Sequence, residues 1–241
     1  VTKEASDMIL TDDNFATIVT AVESGRGIYD NLMKYVRVQL VMLGGFILTF
    51  LGAGIFDVAN GIPLTPLQIL YINFAIDVLL AVGLGFDAAT PGLMQRKPRP
   101  PDQPVIERKL GLRLGFAGLL IAIGVVSVVA YGEDRYGLAV ATTMGLVTTA
   151  LLHIAAALEW RYPRRTAFTM DSIANGRFNL LMLAALALTF LVTAIDGVER
   201  VFDTVDLSGP QWRVCLLAVV AYVVLAEIGK ILVRLVDPDG A

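Results

Sequence analysis

Long runs of apolar residues alternate with short polar connections along most of this chain. Six runs approach the roughly 17 to 25 residues that a helix needs to cross the hydrocarbon layer of a membrane. They cover about residues 36 to 56, 64 to 86, 112 to 131, 138 to 158, 178 to 196 and 212 to 235. They are rich in Leu and Ala and lack the alternating segments of about ten residues that form membrane barrels. The pattern therefore predicts an all-α membrane protein with a bundle of six transmembrane helices.

The composition supports this prediction. Of the 241 residues, 56% are hydrophobic and only 17% are charged, and the mean hydropathy is +0.70. A soluble domain normally carries a larger charged fraction on its surface. The net charge of −3 and the lack of a dense basic face argue against nucleic acid as a partner. We expect the lipid bilayer to surround most of the chain.

The distribution of Lys and Arg predicts the orientation in the membrane. All of the 19 cations except Arg135, Arg200 and Arg213 fall on one side of the predicted bundle. Short connections rich in Lys and Arg stay in the cytoplasm. We therefore expect a multi-pass protein of the cell membrane with both termini in the cytoplasm.

Two segments differ from simple connections. Across residues 14 to 56 nothing except glycine interrupts a helical pattern, so one helix is expected to begin near the polar turn at Asp12 and Asp13. Its segment 28 to 37 is too polar for hydrocarbon and is expected to project about 15 Å from the membrane as a stalk. Residues 87 to 105 hold five prolines, which prevent a long helix and predict an ordered or docking loop.

Polar side chains in the second apolar run provide candidate chemistry. Asn73 and Asp77 are four residues apart, which puts them one turn apart on the same side of a regular helix. An ionised Asp near the membrane centre costs roughly 2.5 to 3.5 kcal/mol, so it is expected to face a polar interior. Ca²⁺ prefers carboxylate and amide oxygens, but these two residues supply at most about three of the six to eight oxygens required. The alternative is a hydrogen-bonded pair that holds two helices together.

Smaller features are predicted to support helix packing. Glu227 and Lys230, three residues apart near the inner end of the last apolar run, are expected to form an ion pair. Gly44 and Gly45 are expected to allow a close approach between two helices.

Four sequence blocks occur in a fixed order. They are "VTKEASDMILTDDNF", "GRGIYDNLMKYVR", "TPLQILYINFAIDVLLAVGLGFD" and "TPGLMQRKPRPP". The first is predicted to contain a short helix (residues 2 to 6) and a short strand (residues 7 to 10). In turn, the blocks resemble four parts of a P-type cation-transporting ATPase of the calcium-pump type. These parts are the end of the phosphorylation domain, the stalk leading into the fifth transmembrane helix, the sixth, ion-binding helix, and the loop after it.

This resemblance implies a division of the chain into four segments. Residues 1–27 would be the end of the α/β phosphorylation domain and the start of the stalk. Residues 28–86 would hold the stalk and the ion-binding fifth and sixth helices, 87–111 a cytoplasmic Pro-rich loop, and 112–241 the supporting helices seven to ten. The aspartyl nucleophile and the domains that use ATP and Mg²⁺ would lie upstream in the same polypeptide and contact this chain. This chain by itself would then not hydrolyse ATP.

The resemblance also implies a single ion site. In two-site calcium pumps the positions of Leu43, Phe46, Ile76 and His153 carry oxygen ligands, whereas here three are apolar and one is imidazole. Neutral imidazole is a poor Ca²⁺ ligand, so His153 is either a packed hydrogen-bond donor or a minor part of the ion pathway. The missing ligands, a Glu and several backbone carbonyls, would come from the fourth transmembrane helix. Calcium is the implied ion, with manganese as an alternative.

The implied function is the transport part of an ATP-driven pump, in which phosphorylation elsewhere moves the stalk. Two other classes of protein remain open. A self-contained channel or secondary carrier would need a complete pathway within these six helices. A structural or partner-binding membrane subunit would need no transport pathway.

Overall fold

The computed structural model describes residues 14–88, 90, 92–98, 100, 104–169 and 175–236. The described chain folds into long helices that run back and forth. They are α1 (Phe15–Phe56), α2 (Pro66–Gly85), α3 (Arg108–Tyr136), α4 (Leu138–Arg161), α5 (Gly176–Leu191), α6 (Asp196–Phe202) and α7 (Gly209–Val236). Two short 3₁₀ turns, Val58–Gly61 and Leu93–Gln95, lie in the connections on either side of α2.

The prediction of an all-α membrane protein is confirmed. Within the described ranges the chain forms helices and connections and no strand. By length and composition, α1, α2, α3, α4 and α7 can each cross a membrane, and α5 with α6 makes a sixth span if that bent pair is counted as one. The helix and strand predicted within residues 1 to 10 lie outside the described residues.

The first helix is continuous over 42 residues, as its pattern predicts. Asn14 caps it, because its side-chain oxygen accepts a hydrogen bond from the backbone N–H of Ala16 at 3.0 Å. The helix therefore begins just after the predicted turn at Asp12 and Asp13, and its cap is Asn14. An uninterrupted helix joins the polar segment 28 to 37 directly to the apolar part that follows.

Helix α4 occupies the centre of the bundle. It packs against α1, α2, α3, α5 and α7, and nearly all of its residues from Ala141 to Arg161 are buried. Thr142, Thr143 and Thr149 donate to carbonyls of the same helix; the Thr149 hydroxyl, for example, donates to the Gly145 carbonyl at 2.7 Å. Such local bonds let a helix carry polar side chains in an apolar interior without a partner helix.

The predicted helix over residues 178 to 196 is too long. Helix α5 ends at Leu191, and α6 then departs at an angle of 85°. Two threonine hydroxyls satisfy carbonyls at this end: Thr193 donates to Phe190 at 3.1 Å and Thr204 to Val192 at 2.6 Å. Because side-chain hydroxyls replace the lost helical donors, the chain can turn here without leaving these carbonyls unpaired.

The Pro-rich connection docks on α1, as predicted. The Arg26 guanidinium donates to the carbonyls of Leu93 at 2.7 Å and Arg96 at 3.0 Å. One turn further along α1, the carboxylate of Asp30 accepts a hydrogen bond from Thr90. The polar segment of α1 is therefore attached to the connection that follows α2.

Candidate functional site

The candidate site lies where α2 departs from regular helical geometry. The helix starts with a capping box: the Thr65 hydroxyl accepts from the Gln68 N–H, and the Gln68 side chain accepts from the Thr65 N–H. Pro66 occupies the first turn, where its missing N–H costs nothing. The next turn, Ile72–Asp77, is π-helical. Such turns are rare within α-helices and are frequent at functional sites.

Asp77 ends this π-helical turn and pairs with a histidine of α4. Its Oδ1 lies 2.8 Å from Nδ1 of His153, and the side chains are 8% and 0% exposed, respectively. When the Asp77 carboxylate is ionised it can only accept, and the imidazole Nδ1 is then the donor in this contact. The carboxylate predicted to face a polar interior therefore finds a hydrogen-bond donor there, 76 positions away in sequence.

Among the described residues, the pair leaves one polar atom on each partner without a hydrogen bond. Nε2 of His153 is buried and has no partner in the described structure, and its ring meets the edge of Phe46 of α1 at a centroid distance of 5.1 Å. For the Asp77 atom Oδ2 there is likewise no hydrogen bond among the described residues. One carboxylate oxygen thus remains able to accept a further ligand.

Asn73 occupies a different environment from Asp77. Its side chain is exposed at the surface of the bundle, and its Nδ2 donates to the carbonyl of Ile69 at 2.8 Å. Both residues belong to the same π-helical turn, but Asn73 is exposed and Asp77 is buried. The two side chains do not form a hydrogen bond with each other. Asp77 faces α4, and Asn73 is accessible from outside the bundle.

The other positions implied by the resemblance add no oxygen ligand. Leu43 is 56% exposed, Ile76 is fully buried, and Phe46 contacts the His153 ring. Within the described residues no group of three or more His, Cys, Asp or Glu could hold a metal ion. Asp77 and its neighbours therefore form a partial set of ligands.

The structure also contains a buried charge cluster that the sequence did not reveal. Lys34 of α1, Asp87 after α2 and Arg161 of α4 meet at one end of the bundle with side chains at most 1% exposed. In the sequence, Lys34 and Arg161 look like ordinary basic residues beside apolar runs. The one available signal is that each falls close to the predicted end of an apolar run.

Two further predictions about packing can be compared with the structure. Glu227 and Lys230 are paired at 3.1 Å, as predicted, and Lys230 also pairs with the buried carboxylate of Glu159 on α4. The backbone of Gly44 and Gly45 lies directly against Gly118 of α3, so the predicted close helix contact is confirmed.

Comparisons with known proteins identify relatives along nearly the whole chain. Residues 61–232 match the family described as cation transporting ATPase, C-terminus. The chain is 33% identical over 218 residues to a calcium-transporting ATPase of Bacillus subtilis, which covers 90% of this chain and 24% of that protein. It is 32% identical to calcium-transporting ATPase 1 of Schizosaccharomyces pombe over 85% of this chain and 23% of that protein. The chain spans about a quarter of the length of these curated relatives.

Proposed function

Because this chain belongs to the P-type cation-transporting ATPases and corresponds to their carboxy-terminal region, we propose that it is the transport part of an ATP-driven calcium pump. Two relatives carry calcium transport in their names. Upstream domains of the same polypeptide bind ATP and Mg²⁺ and supply the phosphorylated residue. The present chain supplies part of the ion site and the helices that support it.

The observation that carries this proposal is the partly satisfied carboxylate of Asp77. It is buried within a span that is apolar enough to cross a membrane, yet His153 engages only one of its two oxygens. Keeping an incompletely bonded carboxylate in such a place costs stability, so these groups usually mark an ion or substrate pathway. A hard oxygen ligand with negative charge suits Ca²⁺ or Mn²⁺.

The exposure of Asn73 supports the idea that a further helix contributes ligands to the ion site. An amide at membrane depth is costly against lipid, where it lacks partners for hydrogen bonds. Phe74 beside it is 71% exposed, so this surface of α2 could accept another transmembrane helix. In the complete pump an upstream helix packs here and adds oxygens to those of Asn73 and Asp77. Phosphorylation upstream moves the stalk and opens this shared site to one side of the membrane and then to the other.

The charge distribution on the folded bundle supports the proposed orientation. Arg135, Arg200 and Arg213 all lie near the ends of helices at one end of the bundle, whereas Arg26 and Arg161 belong to the opposite end. Because the more basic end faces the cytoplasm, both termini are cytoplasmic and the polar segment of α1 forms a cytoplasmic stalk. The pump resides in the cell membrane.

Transport by the full-length protein tests the function directly. Purified pump in sealed vesicles should accumulate radioactive calcium after addition of Mg²⁺ and ATP, and manganese should compete for the uptake. Calcium movement that does not require ATP would favour a channel or secondary carrier. If neither ion enters and neither activates ATP hydrolysis, the proposed function is wrong.

A second measurement tests whether the pump has one ion site. Apolar Leu43, Phe46 and Ile76 offer no side-chain oxygen, and His153 already bonds to Asp77. A second Ca²⁺ would then lack most of its six to eight oxygens, so we expect about one bound ion per phosphorylation site. Equilibrium calcium binding, divided by the maximum phosphorylation of the same preparation, gives this ratio. A value near two would contradict the single site.

A further inference from the structure

Three helices and a connection converge on the carboxylate of Asp87. Lys34 of α1 donates to Oδ2 at 2.8 Å. Arg161 of α4 donates hydrogen bonds to both oxygens, with its Nε 2.7 Å from Oδ2. Asn175, which caps α5 through Phe178 N–H, donates to Oδ1 at 3.0 Å. We call Lys34, Asp87 and Arg161 the basal cluster.

The basal cluster is built to stay charged. Burial raises the pKa of Asp87, but the hydrogen bonds from Arg161, Lys34 and Asn175 outweigh it and lower this pKa below its usual value. The carboxylate therefore remains ionised throughout the neutral pH range. Removing one partner of a buried ion pair leaves an uncompensated charge, which makes separation of the cluster costly. The ion pairs and hydrogen bonds of the basal cluster therefore favour contact among the helices that meet here.

The position of the basal cluster relates it to the Asp77–His153 pair. On α4, Arg161 lies eight residues after His153. On α2, eight more residues follow Asp77 before the connection that holds Asp87 begins. At 1.5 Å per residue both separations are about 12 Å. Helices α2 and α4 are thus linked twice, once at the candidate ion site and once at the bundle end.

Helix α1 contacts both links. Lys34 belongs to the basal cluster, and Phe46 packs on the His153 ring. Both residues lie on one uninterrupted helix, about 18 Å apart along its axis. A displacement of α1 along its axis therefore acts on the basal cluster and on the ion-site pair at the same time.

We propose that Lys34, Asp87 and Arg161 are positioning residues that transmit movement of the stalk to the spacing of α2 and α4 at the ion site. This inference rests on the proposed pumping function. Arg161 and Asp87 keep the two ion-site helices together, and Lys34 attaches that unit to the stalk. Without the attachment of Lys34, the stalk can move while α2 and α4 do not follow it completely.

The test measures calcium ions transported per ATP hydrolysed by the full-length pump in vesicles. Lys34→Met removes the ammonium group but keeps most of the length of the side chain. It leaves Asp87 paired with Arg161, so this buried carboxylate does not lose all its partners. We expect calcium-activated ATP hydrolysis to continue while the transport ratio falls by about threefold or more. Arg161→Lys keeps the charge but loses the bidentate hydrogen bonds to Asp87, and it should change the ratio in the same direction. If Lys34→Met does not fold, the transport ratio of Arg161→Lys tests the proposal in its place.

A second buried ion pair on α4 provides the matched control. Glu159 and Lys230 pair at the same end of the bundle but join α4 to α7 rather than to α1. The double variant Glu159→Gln with Lys230→Met removes that pair and should leave the transport ratio at the wild-type value. A merely structural role of the basal cluster would reduce hydrolysis and uptake in parallel, and an unchanged ratio would overturn the inference. If the wild-type pump shows no ATP-driven uptake, the proposed function itself fails.

Discussion

Replacing Asp77 by Asn in the full-length pump should abolish calcium-dependent phosphorylation by ATP and calcium transport while leaving the protein folded. Asparagine keeps the shape of the side chain, and its amide oxygen can still accept the hydrogen bond from His153. It lacks the negative charge that offsets the cost of removing a divalent ion from water. We expect a loss of about 2.7 kcal/mol or more in calcium binding, which is roughly 100-fold in affinity.

The measurement is phosphoenzyme formation as a function of calcium concentration, together with the melting temperature of the purified variant. Asp203→Asn is the control, because Asp203 lies in the exposed connection after α6, far along the chain from the π-helical turn. Its calcium dependence should match that of the wild-type protein. Normal calcium-dependent phosphorylation of the Asp77→Asn variant would show that the carboxylate has only a packing role.

His153→Gln then separates the two interpretations of the histidine, because a packed donor can be replaced without a change in calcium dependence.

Replacing Gly118 by Ala should destabilise the bundle where α1 crosses α3. A Cβ at this position would lie 3.0 Å from the Gly45 nitrogen and 3.1 Å from the Gly44 carbonyl carbon and the Val41 oxygen. All three are backbone atoms, which cannot rotate away as a side chain can. The helices must separate to make room, and overpacking of this kind costs about 1–3 kcal/mol.

The matched control is Gly115→Ala on the same helix. A Cβ there meets no atom within 4 Å, so the melting temperature should stay the same or rise slightly because Ala favours helix. Thermal unfolding of the purified full-length variants, followed by size-exclusion chromatography of detergent extracts, compares the two. Equal melting temperatures would show that α1 and α3 can adjust at this crossing without loss of stability.

The helical architecture was largely predictable from local patterns. A span needs a certain number of apolar residues, and that requirement is met within a continuous stretch of sequence. The pattern over residues 14 to 56 predicted one long helix, which the structure contains. Helix α5 was predicted less well, because its end depends on hydroxyls from Thr193 and Thr204. One of these lies twelve residues beyond the carbonyl it satisfies, outside the reach of a helical pattern.

The sequence by itself determined the membrane class and the back-and-forth order of the helices. It also singled out Asp77 as a candidate ligand, because an acid within an apolar run is conspicuous without any structure. Only the tertiary structure decided the partners of that acid. It placed His153 against Asp77 and left Asn73 on the surface, and it brought Lys34, Asp87 and Arg161 together from distant parts of the chain. The physical reason is that hydrophobicity and helix length are local properties. Hydrogen bonds between buried polar groups depend on how helices far apart in sequence pack and rotate against one another.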